Sequence, residues 1–149
     1  MNAPTAELAL SGNSISHSVC TILVVDDEPA LRGLVARMLR LEGHRVLEAA
    51  VGPDAIALYT QHIADIAVVV TDVVMPDMDG RVLAARLLEL NPSLGVVLMS
   101  GYIPQSAFDL RESPQMRFVS KPFRSSDICR AVRGFMTPSA TSVSTSVDD

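Results

Sequence analysis

The run Ile66-Ala-Val-Val-Val-Thr71 constrains the fold of this chain more than any other segment. It has strand length and shows no alternation of polar and apolar residues. Such a run fits a strand buried on both faces, as in a parallel sheet covered by helices on each side. The segments around it follow the same rhythm. Thr21 to Val25, His44 to Ala49, Gly95 to Met99 and Arg117 to Ser120 are further short strands. Between them lie helical patterns. Leu31, Leu34, Val35, Met38 and Leu39 recur at helical spacing after Pro29, and Gly43 stands where a left-handed cap would end that helix. Pro53 to His62 offers Ala55, Ile56, Leu58 and Tyr59 as a buried side. Gly80 to Leu90 offers Val82, Leu83, Leu87 and Leu88, and Asn91-Pro92 stops it. Ala107 to Glu112 allows only a short helix, bracketed by Pro104 and Pro114. A last helix, capped by Ser125 or Ser126 with Asp127 in its first turn, presents Ile128, Ala131, Val132 and Phe135. Five βα units in series with short connections predict an α/β fold, a parallel sheet with helices on both faces.

Composition supports that architecture and narrows the function. Of the 149 residues 48% are hydrophobic and only 4% aromatic, so aliphatic side chains must fill the core. One domain is expected over residues 20–136, between disordered tails at 1–19 and 137–149. The net charge of -5 and the absence of a Lys/Arg run argue against direct nucleic-acid binding. Cys20 and Cys129 have neither zinc-site nor disulfide-framework spacing and read as ordinary thiols. The N-terminus has no basic segment, Leu8 to Leu10 is too short for a signal core, and no apolar run reaches the roughly 18 residues of a membrane span. A cytoplasmic protein without membrane contact is expected.

Ligands of open parallel sheets bind at the C-terminal ends of the strands. The first strand ends in Asp26-Asp27-Glu28, the third in Thr71-Asp72, the fourth in Ser100-Gly101 and the fifth in Lys121-Pro122. Carboxylates, a hydroxyl and an ammonium thus meet on one edge. Clustered carboxylates repel, which raises the pKa of at least one, and they need a cation to stay ionised together. All-oxygen ligands suit a hard ion such as Mg²⁺. A carboxylate beside such an ion and a lysine is a nucleophile suited to phosphoryl transfer. Taken singly, Asp26, Asp27 and Glu28 read as a solvated helix start, Ser100 as a turn residue and Lys121 as a loop lysine. For Glu28 that plain reading is preferred. Together they leave the matched chemistry of four strand ends unexplained.

The strings V-V-D-D-E-P at Val24 to Pro29, T-D-V-V-M-P-D-M-D-G at Thr71 to Gly80, M-S-G-Y at Met99 to Tyr102 and K-P-F at Lys121 to Phe123 resemble the receiver domain of two-component response regulators. The resemblance spans Thr21 to Met136, and M-S-G-Y is most similar to receivers of hybrid histidine kinases. It implies a doubly wound, five-stranded parallel sheet in the flavodoxin-like order 2-1-3-4-5. It implies Asp72 as phosphoacceptor, and Asp26, Asp27, Asp72 and the backbone carbonyl of Val74 as metal ligands, Asp27 the more direct of the acidic pair. It implies Lys121 and Ser100 as contacts of the phosphoryl group and Phe118 as the switch aromatic. A cis peptide bond at Lys121-Pro122 is part of the family pattern.

The expected function is a phosphorelay switch. Asp72 takes a phosphoryl group from a histidine kinase or histidine phosphotransfer protein with Mg²⁺, or Mn²⁺ in its place. Partner binding then changes through the face of the fourth and fifth strands, and a phosphorylation-dependent homodimer stays open. The only chemistry expected is self-phosphorylation and self-dephosphorylation. Val74 and Tyr102 flank the line of water attack in the family and carry no group to orient water, so slow dephosphorylation is expected. Thr137 to Asp149 is too short for an output domain, so a stand-alone regulator or an excised receiver is expected. The alternative, a haloacid-dehalogenase-like aspartyl phosphatase, wants an acid two residues after the nucleophile, where Val74 stands. A nucleotide-binding module would want a Gly-rich loop in place of Asp26-Asp27-Glu28-Pro29. A receiver that works unphosphorylated would not need the complete set of site residues.

Overall fold

The computed structural model describes residues 19–101 and 115–136. Residues 1–18 of the tail expected at 1–19, the tail expected at 137–149, the expected helix Ala107 to Glu112 and Tyr102 lie outside the described residues. In chain order the elements are β1 (Thr21–Val25), α1 (Pro29–Leu41), β2 (Arg45–Ala49), α2 (Gly52–Gln61), β3 (Ile66–Asp72), α3 (Gly80–Leu90), β4 (Gly95–Ser100), β5 (Met116–Ser120) and α4 (Ser125–Met136).

The five strands form one parallel sheet in the order β2-β1-β3-β4-β5. The chain leaves β1 toward β2 on one side and returns past it to β3 on the other. Right-handed crossovers then put α1 on one face, and α2 and α3 on the opposite face. Side-chain parity on β1 shows both faces covered. Leu23 and Val25 pack with Val69, Leu98, Tyr59 and Leu83 on the α2/α3 side. Ile22 and Val24 pack with Val70, Met99, Val35 and Ile128 on the α1/α4 side. The reversal of strand order between β1 and β3 opens a crevice at their C-terminal ends.

Local chemistry explains most boundaries. Pro29 opens α1, and Gly43, at φ 98°, takes the left-handed turn after it. Asp79 caps α3 by accepting the Arg81 N–H at 2.7 Å. The expected serine cap of α4 is not what forms. The helix begins at Ser125, and the Asp127 carboxylate reaches back to the Arg124 N–H at 2.9 Å. Two expected core residues also differ. Leu34 is 48% exposed and Val82 47% exposed, while Ala36 and Ala84 are buried in their helices. Each helix lies close against the sheet at an alanine, which turns the larger neighbour two positions away outward. The Lys121-Pro122 bond is cis, as the resemblance implies.

Candidate functional site

The site grows from the ends of β1 and β3, adjacent strands at the switch point. Asp26 follows β1 directly, and its N–H donates to the Ala49 carbonyl at 3.2 Å, which continues the β1–β2 ladder into the turn. The residue is 1% exposed. Oδ1 accepts the Glu28 N–H at 2.9 Å, and buried Oδ2 has no hydrogen-bond partner. Asp27 is exposed at the rim, and Asp72 is buried at the end of β3. One oxygen from each of Asp26, Asp27 and Asp72 lies within 4.8 Å of the others.

Burial pushes the Asp26 carboxyl above the usual carboxylate range, and the charges of Asp72 and Asp27 push it further. The Glu28 N–H and the Lys121 charge oppose that rise. Lys121 Nζ donates to Asp72 Oδ1 at 2.9 Å. One ammonium facing three carboxylates leaves the pocket net negative.

The donor set fits a hard divalent cation. Every ligand atom is a carboxylate oxygen, and the orphaned Asp26 Oδ2 is a buried acceptor that a cation would satisfy. Glu28, placed outside the site from the sequence, is exposed and contributes its backbone N–H alone to Asp26.

The remaining residues hold the edge. Ser100 is buried at the end of β4, and its carbonyl accepts the Lys121 N–H at 2.8 Å, which fixes the start of the lysine loop. Phe118 is half-buried on β5, opposite Leu98, and packs against the α2/α3 core. Leu98 and Ser100 are two apart on β4, so Ser100 and Phe118 share a face of the sheet. A cavity of about 310 Å³ opens beside Phe118, lined also by Val119, Ser120, Pro122 and Asp127. Val74 is 75% exposed to solvent.

Gly80 makes the β3–α3 loop fit. Its N–H donates to the Val73 carbonyl at 2.7 Å. A Cβ there would lie 2.1 Å from the Asp72 carbonyl oxygen. Three contacts were not foreseen. The Asp77 carboxylate accepts the Gly52 N–H at 2.9 Å, which ties this loop to α2. Arg32 reaches the Asp26 carbonyl at 2.8 Å and Glu48 at 3.2 Å. The only signal in sequence was an arginine on the polar face of α1, which many surface helices carry.

A five-stranded βα sheet with an acidic, lysine-paired pocket at its switch point defines a phosphoacceptor domain that signals through an aspartate beside a metal site. The family profile described as response regulator receiver domain matches residues 22–133, and the chain belongs to that family. The chemistry characteristic of that family is taking up and losing a phosphoryl group on an aspartate. The chain is similar to the sensor kinase CckA of Brucella abortus (strain 2308), 34% identical over 114 residues, or 76% of this chain and 12% of that protein. It is similar to the probable transcriptional regulatory protein TcrX of Mycobacterium tuberculosis, 44% identical over 80 residues, or 54% of this chain and 33% of that one. The chain thus spans less than half the length of these curated relatives. Among solved structures, the receiver domain of the hybrid histidine kinase CckA is 30% identical with a TM-score of 0.66, covering 77% of this chain and 97% of that one. A response regulator receiver domain protein from Clostridium thermocellum superposes with a TM-score of 0.71, covering 83% of this chain and 99% of that one. At 22% identity that likeness concerns the fold alone.

Proposed function

We propose that Asp72 is the phosphoacceptor and that a histidine kinase or histidine phosphotransfer protein is the donor. The observation that carries this reading is the 2.9 Å contact of Lys121 Nζ with Asp72 Oδ1 inside the acidic cluster. A carboxylate oxygen of Asp72 attacks phosphorus, the P–N bond of the donor phosphohistidine breaks, and the imidazole leaves with the electron pair. Lys121 balances charge on the phosphoryl oxygens, and the Ser100 hydroxyl donates to one of them. Mg²⁺, held by Asp26, Asp27, Asp72 and the Val74 carbonyl, would supply further neutralisation of that charge; Mn²⁺ offers the same ligand preference. The signal then passes from Ser100 to Phe118, which shares its sheet face and adjoins the cavity, and so to the β4–β5 surface.

The location proposed for this exchange is the cytoplasm, with protein rather than nucleic acid as direct partner. Among the described residues no helix is long and apolar enough to cross a membrane. The exposed Val74 side chain has no group to orient an attacking water, which supports a long-lived phosphoryl-aspartate. A Val74→Asn, Tyr102→Glu variant should lose its phosphoryl group several-fold faster. Equal lifetimes would remove that reading.

The deciding experiment treats the chain with acetyl phosphate and Mg²⁺ and weighs it by mass spectrometry. One phosphoryl adduct should form, and Asp72→Asn should abolish it. An adduct that persists in the variant would move the acceptor elsewhere.

A further inference from the structure

We infer that Arg32 is a positioning residue that holds the metal-binding turn in register. The inference rests on the reading of Asp26 and Asp27 as cation ligands and adds a residue that sets their geometry.

Arg32 makes no hydrogen bond or ion pair with any of the three carboxylates of the cluster. Its Nη1 donates to the Asp26 carbonyl at 2.8 Å, and its backbone N–H donates to the Glu28 carbonyl at 2.9 Å. Arg32 therefore bonds the chain on both sides of Asp27. Its Nε donates to Glu48 Oε1 at 3.2 Å. Glu48 sits on β2 opposite Val24 of β1, and its other oxygen lies 3.4 Å from Arg40 Nη1. Arg40 in turn donates to the Val46 carbonyl at 3.1 Å. The guanidinium fork thus joins the turn after β1 to the neighbouring strand through a carboxylate that a second arginine braces.

Such a brace is needed because the turn opposes its own charge. Asp26 and Asp27 face Asp72, and mutual repulsion favours any movement that spreads them. Backbone bonds fix Asp26 on its N–H side through Ala49. Arg32 fixes its carbonyl side, and carbonyl and carboxylate of one residue move together.

The sign of the effect separates this role from a through-space one. A cation beside an acidic pocket weakens cation binding, so removing its charge alone would tighten Mg²⁺ binding. Loss of positioning acts the other way. Outer contacts of metal ligands typically change affinity by on the order of tenfold or more.

The test is calorimetric titration of the full chain with MgCl₂, without phosphodonor, on wild type, Arg32→Met, Arg32→Lys and Glu48→Gln. Positioning predicts Mg²⁺ binding weaker by on the order of tenfold in Arg32→Met and by several-fold in Arg32→Lys, which keeps the charge but loses the fork. Glu48→Gln should fall between wild type and Arg32→Met. Phosphoryl incorporation at saturating Mg²⁺ should recover in all three. If Arg32→Met does not fold, Arg32→Lys and Glu48→Gln decide alone. Unchanged affinity in Arg32→Lys, or tighter binding in Arg32→Met, overturns the inference and leaves the site assignment standing. A wild type that binds no Mg²⁺ overturns the site assignment, and this inference with it.

Discussion

The two ends of the sheet solve opposite problems. At the C-terminal end, Asp26, Asp27 and Asp72 crowd together against one lysine, and a buried oxygen of Asp26 lacks a partner. At the N-terminal end, polar groups are matched with one another. The Cys20 N–H donates to His44 Nδ1 at 3.2 Å, the Cys20 thiol donates to Met136 Sδ at 3.3 Å, and the Arg45 N–H bonds the Cys20 carbonyl at 3.0 Å. Nearby, the Phe135 ring covers Gly95, with the Arg117 guanidinium 4.7 Å from its centre. The strands are the same strands, so the difference lies in which residues stand at their two ends. One end is closed by packing; the other stores repulsion that a cation can relieve.

Glycine-to-alanine changes at the two ends give the largest contrast. A Cβ at Gly80 meets backbone alone, at 2.1 Å from the Asp72 oxygen and 2.9 Å from Val73 Cα, so the loop carrying the site must move. Gly80→Ala should cost about 2–3 kcal/mol in urea unfolding and remove most phosphoryl incorporation. A Cβ at Gly95 lies 2.5 Å from Phe135 Cγ, so the half-buried ring near the end of α4 must change its side-chain rotamer, while no backbone is among the nearest atoms. Gly95→Ala should cost roughly 1 kcal/mol and leave incorporation unchanged. Equal costs, or loss of phosphorylation in Gly95→Ala, would break the contrast between the ends.

The burial and crowding of Asp26 should also appear as a pH dependence. The folded-state pKa of Asp26 is raised, chiefly by burial. Between its unfolded and folded values the native state binds more protons than the unfolded one. Stability without divalent cation should therefore fall as pH rises through that window, then level off above the folded value. Asp79, which Arg81 holds below the usual range, contributes in the opposite sense, with stability lost as pH falls. The difference between wild type and Asp26→Asn isolates the Asp26 term. Asp26→Asn should be the more stable protein at neutral pH, by on the order of 1 kcal/mol, because a buried charge with one unpartnered oxygen is gone. Mg²⁺ should stabilise the wild type and leave the variant nearly unmoved. Thermal melts with chelator and with Mg²⁺ check both; a variant less stable in chelator would show that the pocket stores no repulsion.

The same contrast governs what could be read in advance. The sheet was legible because strands buried on both faces leave runs such as Ile66 to Thr71, and because each strand ends in its own chemistry. Those ends also made Asp26, Asp27, Asp72, Ser100 and Lys121 stand out, and the structure brings the three aspartates and the lysine together. Burial within helices was less legible. Leu34 and Val82 satisfy the helical period yet face outward, since the period leaves open how far a helix rotates or how close an alanine lets it approach. The supports were silent altogether. Arg32, Glu48 and Asp77 act across gaps of 6, 16 and 25 residues, and a surface charge gives no sign of the backbone group it will meet.

The smallest expected effects belong to the N-terminal end. Burial pushes the Cys20 thiol up to about 11, so at pH 8 it is almost wholly protonated. Its thiol hydrogen points to a thioether, a weak acceptor, so little energy rests on that bond. Cys20→Ser replaces a soft donor with a stronger one that has no comparable acceptor at Met136, which should cost less than about 1 kcal/mol. Iodoacetamide at pH 8 should label Cys20 far more slowly than free cysteine, and Cys20→Ser should match wild type in Mg²⁺ affinity and phosphoryl incorporation. A thiol that reacts rapidly would mean that this end opens in solution. A phosphorylation defect in Cys20→Ser would mean that the two ends are coupled through β1, and that the closed end also sets the geometry of the charged one.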